Sequence, residues 1–121
     1  MKTVSDEETF AGILKAETAI LFFDFDWSDQ ARVSRLILEE WERTQAIWNP
    51  KQDISIWRVL LDHHPWALAW LPKGQEDLAG GGHGAIVWLR KGEVIGREPA
   101  VYAAGIRELS QRTKTLRHND A

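Results

Sequence analysis

Cysteine is absent from this 121-residue chain. That single count removes disulfides, thiolate metal ligands, cysteine nucleophiles and thiol redox chemistry together. Long apolar runs are missing as well: the longest, residues 19–23, is far too short to cross a bilayer, so no membrane partner is expected. The opening MKTVSDEETF has neither the basic start nor the apolar stretch of a secretory leader, which gives a cytoplasmic expectation. Nor is there a surplus of cations. A formal net charge of −3 leaves no electrostatic footprint for nucleic acid, which needs Lys and Arg gathered on one face. Arg107, Arg112, Lys114 and Arg117 do cluster near the C-terminus, where they are expected to complement the dipole at the end of a final helix.

What is present is ordinary globular composition, 44% hydrophobic and 27% charged, in a chain long enough to bury a core without cross-links. One domain is expected over residues 1–114, with a flexible tail at 115–121. Tryptophan is the exception. Seven indoles are too many to bury completely, because each N–H needs a partner, and exposed tryptophan is enriched at interfaces.

The spacing of apolar and turn-forming residues predicts the elements. Ser5 to Glu8 reads as a capping box ahead of a helix to Lys15 carrying Phe10, Ile13 and Leu14. Thr18 to Phe25 is nearly continuous in apolar and β-favouring residues, the pattern of a strand covered on both faces. Ser28 is placed to cap a long second helix lined by Val33, Leu36, Ile37 and Trp41. A turn at 49–53 leads to an alternating strand, 54–60. Pro65 opens a short helix over 66–71 that Pro72-Lys73-Gly74 ends, with Trp66 and Trp70 on one face for core packing. A glycine-rich loop, 75–84, leads to a hairpin of strands 85–89 and 93–97 around Arg90-Lys91-Gly92. A helix over 103–114, with Ile106 and Leu109 inward, closes the order α-β-α-β-α-β-β-α. The expected fold class is α/β, a mixed four-stranded central sheet flanked by helices on both faces.

Two stretches, LKAETAILFFDFDWSDQAR and GHGAIVWLRKGEVIG, carry a resemblance to the thioredoxin family. LKAETAILFFDFDWSDQAR is similar to the segment in which a core strand delivers W-C-G-P-C-K to the start of the long helix, apart from a one-residue gap in the strand. GHGAIVWLRKGEVIG is similar to the family's I-P-T strand, Lys-Gly turn and G-E-V strand, and AGIRELSQR to its last helix. The resemblance runs from about Ser5 to Thr113 and implies a thioredoxin-like fold. It fails where the chemistry would be: Trp27 matches the motif's tryptophan, but W-S-D-Q-A replaces W-C-G-P-C, Gly84 takes the place of the cis-proline, and the buried acid falls at Phe23 or Asp24. Disulfide exchange requires a thiolate, which neither the Ser28 hydroxyl nor the Ala31 methyl supplies.

The resemblance therefore implies a cysteine-free, non-catalytic interaction module, an adaptor or partner-specific chaperone, in which Trp27, Ser28, Asp29, Gln30, His83 and Gly84 would hold a protein or an extended peptide. No catalytic residue, metal or cofactor is expected. A glutathione-type binder or other non-redox enzyme reusing Ser28 at the helix start is the alternative. A homodimer paired through the tryptophan-rich surface is a third reading. Other patterns carry less. Ser28, His83 and Asp26 could compose a hydrolase triad, yet no nucleophile elbow accompanies them. His63, His64 and His83 with Asp62 lack metal-binding spacing, and adjacent histidines point apart. The glycine run lacks the lysine and hydroxyl of a phosphate loop.

Overall fold

The structure, a computed structural model, describes residues 1–48, 55–71, 74–79 and 82–118. The expected turn at 49–53, the strand start at Ile54, Pro72-Lys73, Gly80-Gly81 and the end of the tail lie outside the described residues.

Five strands form one mixed sheet in the order β1-β3-β2-β4-β5, where β1 is Lys2–Thr3, β2 Thr18–Asp24, β3 Ile56–Leu60, β4 Ala85–Arg90 and β5 Glu93–Glu98. The first three strands run parallel, and β4 and β5 are antiparallel to their neighbours. The sheet thus has one strand more than the four expected. A two-residue strand leaves no periodicity to read, and β1 is recognised only by its pairing with Trp57 and Arg58.

The central strand explains its own sequence. Along β2 the side chains alternate, so Ala19, Leu21 and Phe23 join a core cluster on one face while Ile20 and Phe22 join another on the opposite face. Helix α1 (Glu7–Lys15) covers the first face with Phe10 and Ile13; α2 (Asp29–Trp48) and α3 (Ile106–His118) cover the second, where Leu38, Trp41, Trp88 and Leu109 are fully buried. Each large apolar side chain so buried contributes roughly 1.5–3 kcal/mol. The two indoles also need hydrogen-bond partners, and α3 supplies both: Trp41 Nε1 donates to Ser110 Oγ and Trp88 Nε1 to Thr113 Oγ1, each at 2.9 Å.

Several boundaries differ from the sequence reading. The cap of α1 is Asp6, which accepts from the Thr9 amide at 2.7 Å. Ser5 stands one residue too early because Val4 is buried and its amide bonds to Arg58 O, so the helix starts only after that tether. Residues 65–70 form a 3₁₀ turn with Pro65 first, and Trp66 and Trp70 both meet Phe10 edge-on, at 5.5 and 5.7 Å.

On α2 the buried stripe is Ala31, Ser34, Leu38 and Trp41, whereas Val33 and Leu36 are exposed. The helix turns its small residues inward because backbone at Gly84 approaches too closely for larger ones. Another 3₁₀ turn occupies Val101–Ala103, and α3 begins at Ile106, which is 54% exposed. The closing helix runs past the boundary expected at 114, to His118, with Leu116 buried, and Arg90 donates to Leu116 O at 2.7 Å. Arg107 accordingly sits in the first turn of α3, not its last, and Arg112 pairs with Glu108 while lying over the Trp88 ring.

Candidate functional site

Parallel pairing brings the carboxyl ends of β2 and β3 to one edge of the sheet, and antiparallel β4 begins at that same edge. Three segments meet there: residues 25–28 between β2 and α2, residues 61–64 after β3, and residues 82–84 before β4.

Ser28 caps α2, as its sequence position implies. Its Oγ accepts from the Ala31 amide at 3.1 Å and donates to Gly82 O at 2.5 Å, and the residue is 7% exposed. The hydroxyl proton is committed to a carbonyl and directed inward. Trp27 is 65% exposed, beside Phe25 at a ring separation of 5.5 Å. Its six-membered ring covers Gly82, where a Cβ would come within 2.4 Å of Cη2, so glycine is required under the indole. Asp29 is exposed and 4.0 Å from Arg32. Gln30 Oε1 and His83 Nδ1 are 2.8 Å apart, and the His83 ring lies 6.1 Å from that of Tyr102.

The loop before β4 is pinned carbonyl by carbonyl. Ser28 donates to Gly82 O, Ser34 Oγ to His83 O at 3.1 Å, and the Val101 amide to Gly84 O at 3.1 Å. Ser34 Oγ also accepts from the Tyr102 amide at 2.9 Å. Gly84 has φ +83°, and a Cβ there would lie 2.8 Å from Ser34 Cβ and 3.0 Å from Ala31 Cα. Further back, Arg97 bonds Gln75 and Asp77, and its guanidinium holds the Asp77 carboxyl below the usual carboxylate range.

Of the six expected contact residues, Trp27, Asp29, Gln30 and His83 present side chains at this surface; Ser28 and Gly84 are buried and shape it from beneath. Tyr102 and Ser34 belong to the site and escaped the sequence reading. Ser34 was discoverable as a polar residue at an inward helical position, but nothing near Tyr102 placed it beside His83.

The hydrolase constellation does not assemble. Ser28 bonds Gly82, His83 bonds Gln30, and Asp26 bonds His63, so these three do not compose a hydrolase triad. Adjacent histidines do point apart: His64 lies against Trp66, its ring tilted by 43°, while His63 reaches Asp26. Of the two positions considered for a buried acid, Phe23 is core and Asp24 is a buried carboxylate. The latter accepts from Arg35 at 3.1 Å, from Arg58 at 2.5 Å and from the Phe25 amide at 2.8 Å.

The sequence matches no protein-family model and no curated protein. Solved structures do match in shape. Mitochondrial thioredoxin 3 of Saccharomyces cerevisiae shares 12% identity at a TM-score of 0.65, over 94% of this chain and 93% of its own. Plasmodium falciparum thioredoxin shares 15% at 0.66, over 95% and 98%. Malassezia sympodialis thioredoxin shares 10% at 0.68, over 95% and 89%.

The chain has a thioredoxin fold.

With no cysteine anywhere in the sequence, this version of the thioredoxin fold carries no dithiol motif. Its strand–helix junction survives with a hydroxyl that caps the helix and ties down a loop. Among the described residues no helix is long and apolar enough to cross a membrane.

Proposed function

We propose that this chain is a non-catalytic interaction module, an adaptor or partner-specific chaperone of the cytoplasm, that holds a protein or an extended peptide against Trp27, Gln30, His83 and Tyr102. The observation that carries the reading is Trp27, an indole 65% exposed on a glycine bed at the junction where a redox protein of this fold would present its thiols. A large aromatic side chain exposed at the surface is the kind of residue that dominates binding energy at protein interfaces. The hydrogen bonds that hold the carbonyls of Gly82, His83 and Gly84 beneath it would lower the ordering cost of capture. The glutathione-type alternative draws no support from Ser28, whose hydroxyl donates inward to Gly82 O.

The test compares affinity capture from lysate by the wild-type chain, Trp27→Ala, His83→Ala and an exposed variant outside the named contact residues, Leu68→Ala, with disulfide reductase activity measured alongside. The expected result is no reductase activity, a partner recovered with wild type and Leu68→Ala, and recovery lowered by about tenfold or more in the other two, the loss typical of an anchor residue. Equal recovery in Trp27→Ala and His83→Ala would overturn the site, and a homodimer as the captured species would replace the adaptor reading.

A further inference from the structure

We propose that Asp26, Asp62 and His63 form a binding site for a divalent transition-metal cation of the zinc, nickel and copper class. One ligand atom from each residue, two carboxylate oxygens and an imidazole nitrogen, lies within 4.8 Å of the others. His63 Nε2 is 2.5 Å from Asp26 Oδ2, and Asp62 Oδ2 accepts from the Asp26 amide at 3.1 Å.

The placement is a product of the sheet. Asp26 follows the end of β2 and Asp62–His63 the end of β3, and these strands are paired in parallel up to Asp24 and Leu60. The pairing continues past the strand ends, since the Leu61 amide bonds Asp24 O. The turn is closed in its own right by the amides of His63 and His64, both on Leu60 O. The backbone under all three ligands is therefore fixed before any cation arrives. A zinc ion bound at about 2.0–2.2 Å would hold its donors roughly 3.3 Å apart, so only side-chain rotation separates the present arrangement from a coordinating one.

The donor set defines the cation. A site of two carboxylates alone would suit magnesium or calcium, whereas an imidazole nitrogen selects the borderline metals. Asp26 and His63 are each about half exposed, 49% and 52%, which leaves room for waters to complete the coordination. The bound cation would replace the hydrogen now shared between His63 and Asp26, and it would hold the 25–28 and 61–64 segments together at the edge that carries Trp27.

The experiment is isothermal titration of the full chain with zinc chloride, and separately with magnesium chloride, for wild type, His63→Ala, Asp62→Asn and His64→Ala. Long-range proton–nitrogen spectra of the histidine rings read which imidazole responds. The expected result is one zinc per chain, affinity weakened by about tenfold or more in His63→Ala and Asp62→Asn, no loss in His64→Ala, and a shifted His63 ring. The site is overturned by the absence of saturable heat up to about 1 mM zinc. It is equally overturned by undiminished binding in both ligand variants, by a shift confined to other histidines, or by magnesium binding as tightly as zinc. All three side chains are exposed, so circular dichroism of the variants is expected to match wild type.

Discussion

Replacing Gly84 with alanine adds one methyl group, and its cost can be worked from the loop that holds the site. At φ +83° a side chain clashes with its own backbone, which costs about 1–2 kcal/mol. The new Cβ would also sit 3.0 Å from Ala31 Cα, a backbone atom of α2 that cannot swing aside, and 2.8 Å from Ser34 Cβ. Such overpacking costs about 1–3 kcal/mol, and displacing Ser34 weakens the hydrogen bonds that its hydroxyl makes with His83 O and the Tyr102 amide. The sum, about 2–5 kcal/mol, is a large part of the total stability of a domain of this size. Gly12→Ala is the matched control: nothing lies within 4 Å of a Cβ there, and α1 would gain about 0.5–1 kcal/mol from the better helix former. Urea unfolding followed by circular dichroism and tryptophan fluorescence measures both. Each kcal/mol corresponds to roughly 3–5 °C in Tm, so in thermal melts the two variants are expected on opposite sides of wild type, Gly84→Ala lower by about 6–25 °C. A Gly84→Ala protein within about 0.5 kcal/mol of wild type would refute the close packing of loop and helix on which the site rests.

Two further outcomes follow from the charged groups. Asp24→Asn keeps the shape of a buried carboxylate but leaves Arg35 and Arg58 without its charge. The expected loss is about 2–3 kcal/mol, less than for a fully buried pair because both guanidinium groups retain some solvent, and an unchanged urea midpoint would contradict it. Asp6 is held below the ordinary aspartate value by the Thr9 amide and then by the Thr9 hydroxyl. A depressed carboxylate stabilises the fold above its unfolded pKa, and the contribution disappears as pH falls through the folded one. The acid limb of the stability curve below about pH 4 should therefore be shallower in Asp6→Ala than in wild type, read from thermal melts across that range; identical limbs would show that the cap does not hold the charge.

Much of the architecture was legible because burial leaves a period in the sequence. The unbroken apolar run of β2 reports a strand covered on both faces, and Ser28 before α2 reports a cap, since each signal lies within a few consecutive residues. Legibility failed where a distant segment decides. Val33 and Leu36 outrank Ala31 and Ser34 in hydrophobicity, yet the approach of Gly84, some fifty positions later, reserves the inner face for small side chains. Leu116 looks like part of a polar tail until the β4 residue Arg90 closes the helix end over it. The contact between His83 and Tyr102, and the gathering of Asp26 with Asp62 and His63, arise from strand pairing that no local pattern encodes.

The sheet margins restrict how a guest can approach. One border is β1, two residues long and led by Lys2, whose ammonium lies over the Trp57 ring at 5.2 Å. The other is β5, which carries Glu93, Arg97 and Glu98 and pairs with β4 through an irregular register at Trp88 and Leu89. Short, charged or kinked borders are poor templates for adding a foreign strand. On the proposed function, a visiting chain would thus be turned away from both flanks and left with the rim that carries the Trp27 indole.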